Sequence, residues 1–136
     1  MTLRLNLSVD ESLLIGKVRV QNVTGRRISL AIFGRDTVLR ESHIMKESEA
    51  TTPAKRFYYV VLSLYVAENK EILYDLYHTI ARELVLAYPV LTIPVTEIGQ
   101  SILAGDIYEA LNCARLLVEF EERLLSEASR ESGNVK

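Results

Sequence analysis

The amino-acid sequence predicts an α+β fold in which a small antiparallel β-domain, a sheet or a barrel-like arrangement, precedes a helical domain of about four helices packed on it. Two observations lead to this prediction. Apolar and polar residues alternate up to about residue 40, and apolar residues recur at helical spacing after Pro53. We expect the β-rich domain over residues 1–50, the helical domain over 51–130 and a flexible tail over 131–136.

Five short segments of the first domain have the pattern of half-buried strands bounded by turn residues. In the first segment, three leucines alternate with Arg4, Asn6 and Ser8, so we expect Arg4 on the solvent face. Thr24-Gly25 suits the turn of a β-hairpin between the third and fourth segments. The predicted strands span residues 3–8, 12–15, 17–21, 28–33 and 37–40.

The net charge of −2 conceals an uneven distribution. Residues 1–56 carry ten Lys and Arg against six Asp and Glu, whereas residues 57–136 carry six against twelve. A basic half is compatible with local contacts to a polyanion, while the overall acidity disfavours indiscriminate nucleic-acid binding. We therefore expect the strand cations to gather on one surface, with a solvated basic face as the plainer alternative. These cations are Arg4, Lys17, Arg19, Arg26, Arg27, Arg35 and Arg40.

Apolar residues at helical spacing predict four helices in the second half. Thr52 is a favourable N-cap and Pro53 a favourable first residue, so the first helix is expected to begin there. Apolar side chains leave little of its surface polar, which makes this helix either central to the fold or part of an interface. The remaining helices are expected from about residue 71 to 88, from 94 to 104 and from 106 to about 129.

Two cations occupy the first turn of the helix that begins at Pro53. Lys55 and Arg56 oppose the helix dipole, which favours negative charge at that end. Their placement suggests a ligand or a carboxylate partner. The alternative is simple solvation or pairing with Glu47 and Glu49, because exposed ion pairs contribute only about 0–1 kcal/mol.

Two blocks of the sequence carry a family resemblance. The first comprises Leu39, Arg40, Glu41, Thr52, Pro53, Ala54, Arg56, Tyr58 and Tyr59, and the second is ILAGDIYEALNCARLLVEFEERL over residues 102–124. In this order and at this length they resemble the FlbT family of bacterial flagellin-expression regulators. The resemblance implies a regulator of flagellar assembly that acts after transcription, on the 5′ untranslated region of flagellin mRNA, to limit its translation or stability.

A weaker pattern lies in the strand-rich half, in the turn over residues 10–16 and in Val38, Leu39, Arg40 and Glu41. These segments resemble the carbon storage regulator family of small mRNA-binding proteins. That resemblance implies that Arg40 contacts RNA. Since those proteins pair strands from two subunits, it also leaves a homodimer open.

No pattern in the sequence indicates catalysis. His43 and His78 have no Cys, His or carboxylate at ligand spacing, which disfavours a metal site. The sequence contains no glycine-rich phosphate loop and no nucleophile elbow. We interpret Glu119, Glu121 and Glu122 as the exposed side of the last helix. We therefore predict a protein that is not an enzyme and that binds no cofactor or metal.

The function we expect is direct binding of the flagellin mRNA leader without chemistry. Arginines of the sheet would hold phosphates, while Arg40 and Arg56 select unpaired bases together with the nearby aromatic candidates Tyr58 and Tyr59. His43 can stack on or hydrogen-bond to an exposed base. The predicted RNA-binding residues are Arg4, Lys17, Arg19, Arg26, Arg27, Arg40, His43, Lys55 and Arg56.

A second hypothesis makes the chain a protein-binding adaptor or chaperone-like factor, whose acidic helical half holds flagellin or another flagellar assembly factor without touching RNA. A ribonuclease is a third class, disfavoured by the absence of an acid–base pair. The amino terminus lacks a signal-peptide pattern, and no apolar run reaches the ~20 residues of a bilayer span. We therefore expect a cytoplasmic protein without membrane contact.

Overall fold

The computed structural model describes residues 2–134, with side chains through residue 130, and confirms the predicted α+β fold. Five antiparallel strands precede four α-helices. The strands are β1 (Thr2–Leu7), β2 (Ser12–Ile15), β3 (Val18–Gln21), β4 (Ile28–Phe33) and β5 (Val38–Arg40). The helices are α1 (Pro53–Val66), α2 (Glu71–Ala87), α3 (Thr92–Leu103) and α4 (Ile107–Asn134).

The chain divides into two compact units on either side of the Ile44–Met45 bond, which we call the β-unit and the helical unit. Short 3-10 helices at Glu41–His43 and Glu47–Glu49 lie on the two sides of this boundary. The sequence placed the boundary after residue 50, beyond the second of them. Of the predicted tail over 131–136, residues 131–134 continue α4, and the last two residues lie outside the described part of the chain.

The β-unit is built from two sheets that share one core. β1 pairs with β4, while β2 lies between β3 and β5. Leu7, Leu13 and Val38 form the buried centre, and the inward residues of both sheets pack against it. Side chains alternate between the two faces of a strand, so every second residue points inward. The residues packed around the centre are Leu3, Leu5, Ile15, Val20, Ile28, Leu30 and Ile32.

The predicted hairpin at Thr24-Gly25 is wrong, because β3 and β4 belong to different sheets and the segment between them crosses from one to the other. A buried amide supports this crossing. The Asn22 side chain is 1% exposed, and its Nδ2 donates to the main-chain oxygens of Leu7, Ser8 and Arg26. Its Oδ1 accepts from the main-chain N–H and the hydroxyl of Thr24. The amide thus satisfies main-chain oxygens on both sides of the crossing segment.

α1 is the central helix of the helical unit and packs against both α2 and α4. Seven of its side chains are buried, and the ring of Phe57 packs against that of Tyr77 in a tilted arrangement with a centroid distance of 5.7 Å. This burial decides between the two interpretations of the apolar surface of α1 in favour of a core position. The Lys70 ammonium closes the other end of α1 by donating to the carbonyls of Leu64 and Ala67, at 2.7 and 2.8 Å.

The start of α1 has the predicted cap, since Thr52 Oγ1 accepts from the N–H of Lys55 at 3.3 Å. A carboxylate from α4 completes it. The Thr52 hydroxyl donates to Oε1 of Glu121, and the N–H of Ala54 donates to Oε2 at 3.1 Å. A negative charge at this position satisfies free N–H groups and complements the helix dipole.

Our interpretation of Glu121 as an exposed helix residue is therefore wrong. Glu121 is 0% exposed, whereas Glu119 and Glu122 are exposed as expected. The physical reason is that the α1 cap offers hydrogen-bond donors that offset the cost of burying a carboxylate. The pKa of the nearby Tyr88 is raised, mainly by burial and to a smaller extent by its hydrogen bond to Glu121 and by the negative charge of Glu121.

Replacing Glu121 with alanine should lower the free energy of unfolding of the full chain by about 3 kcal/mol, since two donors lose a charged acceptor in a buried site. Urea titration followed by far-UV circular dichroism measures this loss. The matched Glu122→Ala variant, one residue along the same helix and exposed, should stay within about 0.5 kcal/mol. Equal losses in the two variants would contradict the capping role.

Candidate nucleic-acid interface

The predicted cations of the strands do not meet on one surface. Arg4 lies opposite Ala31 and faces outward from the β1–β4 pair. Arg19 lies opposite Leu14 on the outward side of the other sheet. Because the inward sides of both sheets share one core, these two outward sides face away from each other. The expectation of a single basic platform is therefore corrected.

Two of the predicted arginines are held by glutamates of the β-unit. Arg40 lies opposite Leu13 on the core side of its sheet, and its Nη1 is 3.0 Å from Oε1 of Glu11. Arg19 Nε is 3.2 Å from Oε2 of Glu41. The Arg40 pair is three-quarters buried and the Arg19 pair about half exposed, so Arg40 is the more firmly constrained of the two.

Of the remaining basic residues of the β-unit, Arg35 is exposed in the turn between β4 and β5, and the others lie at opposite ends of β3. Lys17 lies in the turn before β3. This turn is close to the β4–β5 turn, because the N–H of Gly16 donates to the main-chain oxygen of Thr37 at 2.8 Å. Arg26 and Arg27 lie in the crossing segment after β3 and are exposed. Arg27 directly precedes β4, on the outward side if the strand alternation is continued.

The other predicted RNA-binding residues lie outside the strands. His43 ends the 3-10 helix that follows β5, and its charge contributes to the low pKa of Glu11. Lys55 and Arg56 belong to the helical unit, where Arg56 Nε is 3.8 Å from Oε2 of Glu83. Of the aromatic candidates, Tyr58 is buried at 3% exposure, which leaves no ring face for a base.

The outward side chains of β1 and β4 form a surface of a different character, which we call the outer β1–β4 face. It consists of Thr2, Arg4 and Asn6 from β1, paired with Phe33, Ala31 and Ser29 from β4. None of these six side chains is acidic, and Arg4 has no ion pair within the described part of the chain. A shallow depression crosses the face, lined by Arg4, Leu5, Asn6, Ser29, Leu30 and Ala31.

Phe33 is the residue of this face that our sequence analysis missed. Its ring is 77% exposed at the end of β4. The signal was present in the alternation over 28–33, which places Ile28, Leu30 and Ile32 inward and therefore Phe33 outward. An exposed aromatic beside a free arginine is a common element of single-stranded nucleic-acid sites.

Two further features concern residues 2–134. No group of three or more His, Cys, Asp or Glu side chains there is arranged to hold a metal ion. Among the helices of the same range, none combines the length and the apolar character that a bilayer crossing requires.

The structure thus defines a two-unit α+β protein with a β-unit that presents a basic, acid-free face and a helical unit centred on a buried helix. The chain matches the family model described as "Flagellar protein FlbT" over residues 3–125. It belongs to the FlbT family, which confirms the resemblance drawn from the two sequence blocks.

Curated relatives cover nearly the whole chain. A "Probable flagellum biosynthesis repressor protein FlbT" of Caulobacter sp. (strain K31) is 35% identical over 132 residues, which are 95% of this chain and 100% of that protein. The "Flagellum biosynthesis repressor protein FlbT" of Caulobacter vibrioides is 33% identical over 132 residues, 95% and 93% of the two chains. A relative from Bradyrhizobium diazoefficiens is 34% identical over 125 residues, 91% and 85%. No solved structure is significantly similar to the chain.

Membership of this family makes the chain a regulator of flagellar expression, since the relatives are named as flagellum biosynthesis repressors. The names refer to regulation and to no reaction. The outer β1–β4 face is the surface from which we infer how such a regulator acts.

The Arg40–Glu11 pair predicts a pH dependence of stability. The N–H of Ser8 donates to Glu11 Oε1 at 2.9 Å and lowers the pKa of Glu11 below its ordinary 4.5, with Arg40 acting in the same direction against the effect of burial. A lowered pKa stabilises the folded state above about pH 4.5, and this stabilisation is lost as the pH falls through the folded-state pKa.

Wild type should therefore be more stable than Glu11→Gln at neutral pH, and the difference should shrink as the pH falls below 4.5. Thermal unfolding across this range gives the comparison. Glu41→Gln, which removes the half-exposed partner of Arg19, serves as the control and should differ little from wild type at any pH. A constant gap between wild type and Glu11→Gln would show that the charge of Glu11 is not the cause.

Proposed function

We propose that this chain represses flagellin expression by binding the 5′ untranslated region of flagellin mRNA directly, through the outer β1–β4 face. The names of its relatives support the repressor role. The observation that supports direct RNA contact is the charge of the face. Arg4 and the adjoining Arg27 supply positive charge, and the six paired residues supply no negative charge.

Charge and access favour this face over the surfaces that carry Arg19 and Arg40. Arg19 and Arg40 would have to leave glutamate partners before they could hold a phosphate. Arg4 and Arg27 have no ion pair among the described residues, so binding a phosphate breaks no existing contact. Free guanidinium groups also hold phosphates in bidentate geometry.

The protein would act by remaining bound to the leader RNA, without catalysing a reaction. Guanidinium groups hold phosphates of the leader, and the polar side chains Asn6 and Ser29 offer hydrogen bonds to unpaired bases. A leader held in this way hinders ribosome loading or becomes accessible to a nuclease that another protein supplies. Either route limits translation or message stability.

The test is a titration of labelled flagellin leader RNA with purified protein at several salt concentrations. Each neutralised phosphate on a single strand contributes about −0.7 to the log–log salt slope. The Arg4→Ala, Arg27→Ala double variant should weaken binding at low salt and make the slope shallower by about 1.4. Both residues are exposed, so thermal stability should remain close to that of wild type.

The matched control is the Lys17→Ala, Arg19→Ala double variant, which removes the same charge from exposed positions outside this face. It should retain the wild-type slope. A larger loss in this control would move the contact to another surface of the β-unit. Failure of the wild-type protein to bind the leader would overturn the proposal of direct RNA contact.

A second candidate function, a protein-binding adaptor, is favoured by one observation in the helical unit. Ile72, Leu76 and Leu86 are 74%, 50% and 75% exposed, and their spacing puts them along one side of α2. Exposed apolar stripes of this kind are typical of helix-binding surfaces. Residues 45–136 carry fourteen Asp and Glu against nine Lys and Arg, which suits a partner helix with a basic rim.

Under this second candidate, purified flagellin should bind the wild-type chain, and Ile72→Asp, Leu86→Asp should abolish that binding with little change in stability. Isothermal titration calorimetry measures the affinity. Leu103→Asp, at a position on α3 that is 89% exposed, is the control and should bind like wild type. Absence of flagellin binding by the wild type would remove this candidate.

A further inference from the structure

The most unusual exposed side chain of the β-unit is Phe33. A large aromatic ring that is 77% exposed on a sheet face leaves apolar area in water without a packing partner in its own strand pair. Its cross-strand partner is Thr2, and its neighbour on the same face of β4 is Ala31. Both are small, so the face of the ring is accessible.

A cation lies next to this ring. Arg4 is opposite Ala31 and therefore diagonal to Phe33 across the strand pair. Diagonal neighbours of this kind are about 7–8 Å apart, within reach of long side chains. The depression that runs from Arg4 toward Ser29 continues the surface away from the ring.

The length of the surface also fits a strand of nucleotides. Arg27 precedes β4 and Phe33 ends it, and at about 3.4 Å per residue the two are roughly 20 Å apart. Single-stranded sites of several nucleotides combine such a basic track with an aromatic platform on which a base stacks. A base inside a duplex cannot offer its face to a protein ring, whereas an unpaired base can.

We propose that Phe33 is a base-stacking residue that makes the outer β1–β4 face selective for unpaired RNA over duplex RNA. This inference rests on the proposed function and specifies its ligand. The leader would be bound where it is single-stranded, with one base on the ring of Phe33 and the adjacent phosphate on Arg4. The face would select single-stranded over duplex RNA and not a particular base, because any base can stack on an aromatic ring.

Charge favours this occupant over a second copy of the chain. Pairing the outer β1–β4 face with itself would bring Arg4 and Arg27 of two molecules together with no acid on either side, and like charges across an interface are repulsive. A polyanion instead complements the face. The test must therefore distinguish self-association through Phe33 from stacking of an RNA base on its ring.

The chain contains no tryptophan, so Phe33→Trp places a single fluorescent reporter at the proposed stacking position. Titration with single-stranded leader RNA should quench its emission as the complex forms. The same RNA annealed to its complement should produce much less quenching at equal concentration. Leu103→Trp, at an exposed position in the helical unit, is the control and should keep its emission throughout.

Affinity measurements on labelled RNA complete the test. Phe33→Ala should weaken single-stranded binding roughly 5- to 150-fold, and Phe33→Tyr should restore it, since both aromatic rings stack. The salt slope should be the same in all three proteins, because none of these side chains carries a charge.

The outcomes separate this inference from the function on which it rests. If the wild type binds no RNA, the proposed function fails and the inference falls with it. If the wild type binds RNA but Phe33→Ala binds equally well, or the Phe33→Trp emission is unchanged in the complex, the stacking role alone is overturned. A change of oligomeric state in Phe33→Ala by light scattering, with RNA affinity intact, would assign the ring to self-association and overturn the inference.

Discussion

The alternation of side chains across short strands is the constraint on which the β-unit depends. Two small sheets must each give one face to a shared core, built around Leu7, Leu13 and Val38. Every outward residue of one sheet then faces away from the outward residues of the other. This geometry separates Arg4 from Arg19 and puts Arg40 on the core side. The cations of the β-unit are therefore divided among separate surfaces instead of forming a continuous basic one, and the proposed function uses the outer β1–β4 face.

The helical unit depends on a different interaction, the capping of α1 by Glu121. One carboxylate from α4 accepts hydrogen bonds at the start of α1, the helix that packs against both α2 and α4. Its negative charge also complements the dipole that the first-turn cations oppose. This carboxylate offsets the first-turn cations at the helix dipole, and Arg56 has Glu83 as a further partner within the helical unit. The placement of Arg56 therefore needs no RNA phosphate to account for it.

Local patterns predicted the fold well because their causes are local. The strand alternation, the Thr52 cap and the ends of α2 before Pro89 and of α3 before Gly105 each depend on residues close in sequence. The pairing of β4 with β1 instead of β3, and the burial of Glu121, depend on partners 21 or more residues away, which a linear pattern does not record. The candidate site was predicted in part. Arg4 was placed correctly on a solvent face, but ion pairing and sheet membership decided which cations are accessible.

The most direct measurement is a crosslink map of the full chain bound to flagellin leader RNA, read at peptide resolution. Direct binding through the outer β1–β4 face predicts crosslinks within residues 2–7 and 27–33, on the two strands that share this face. Crosslinks concentrated in β3, β5 or the helices, from a complex that forms with measurable affinity, would contradict the account.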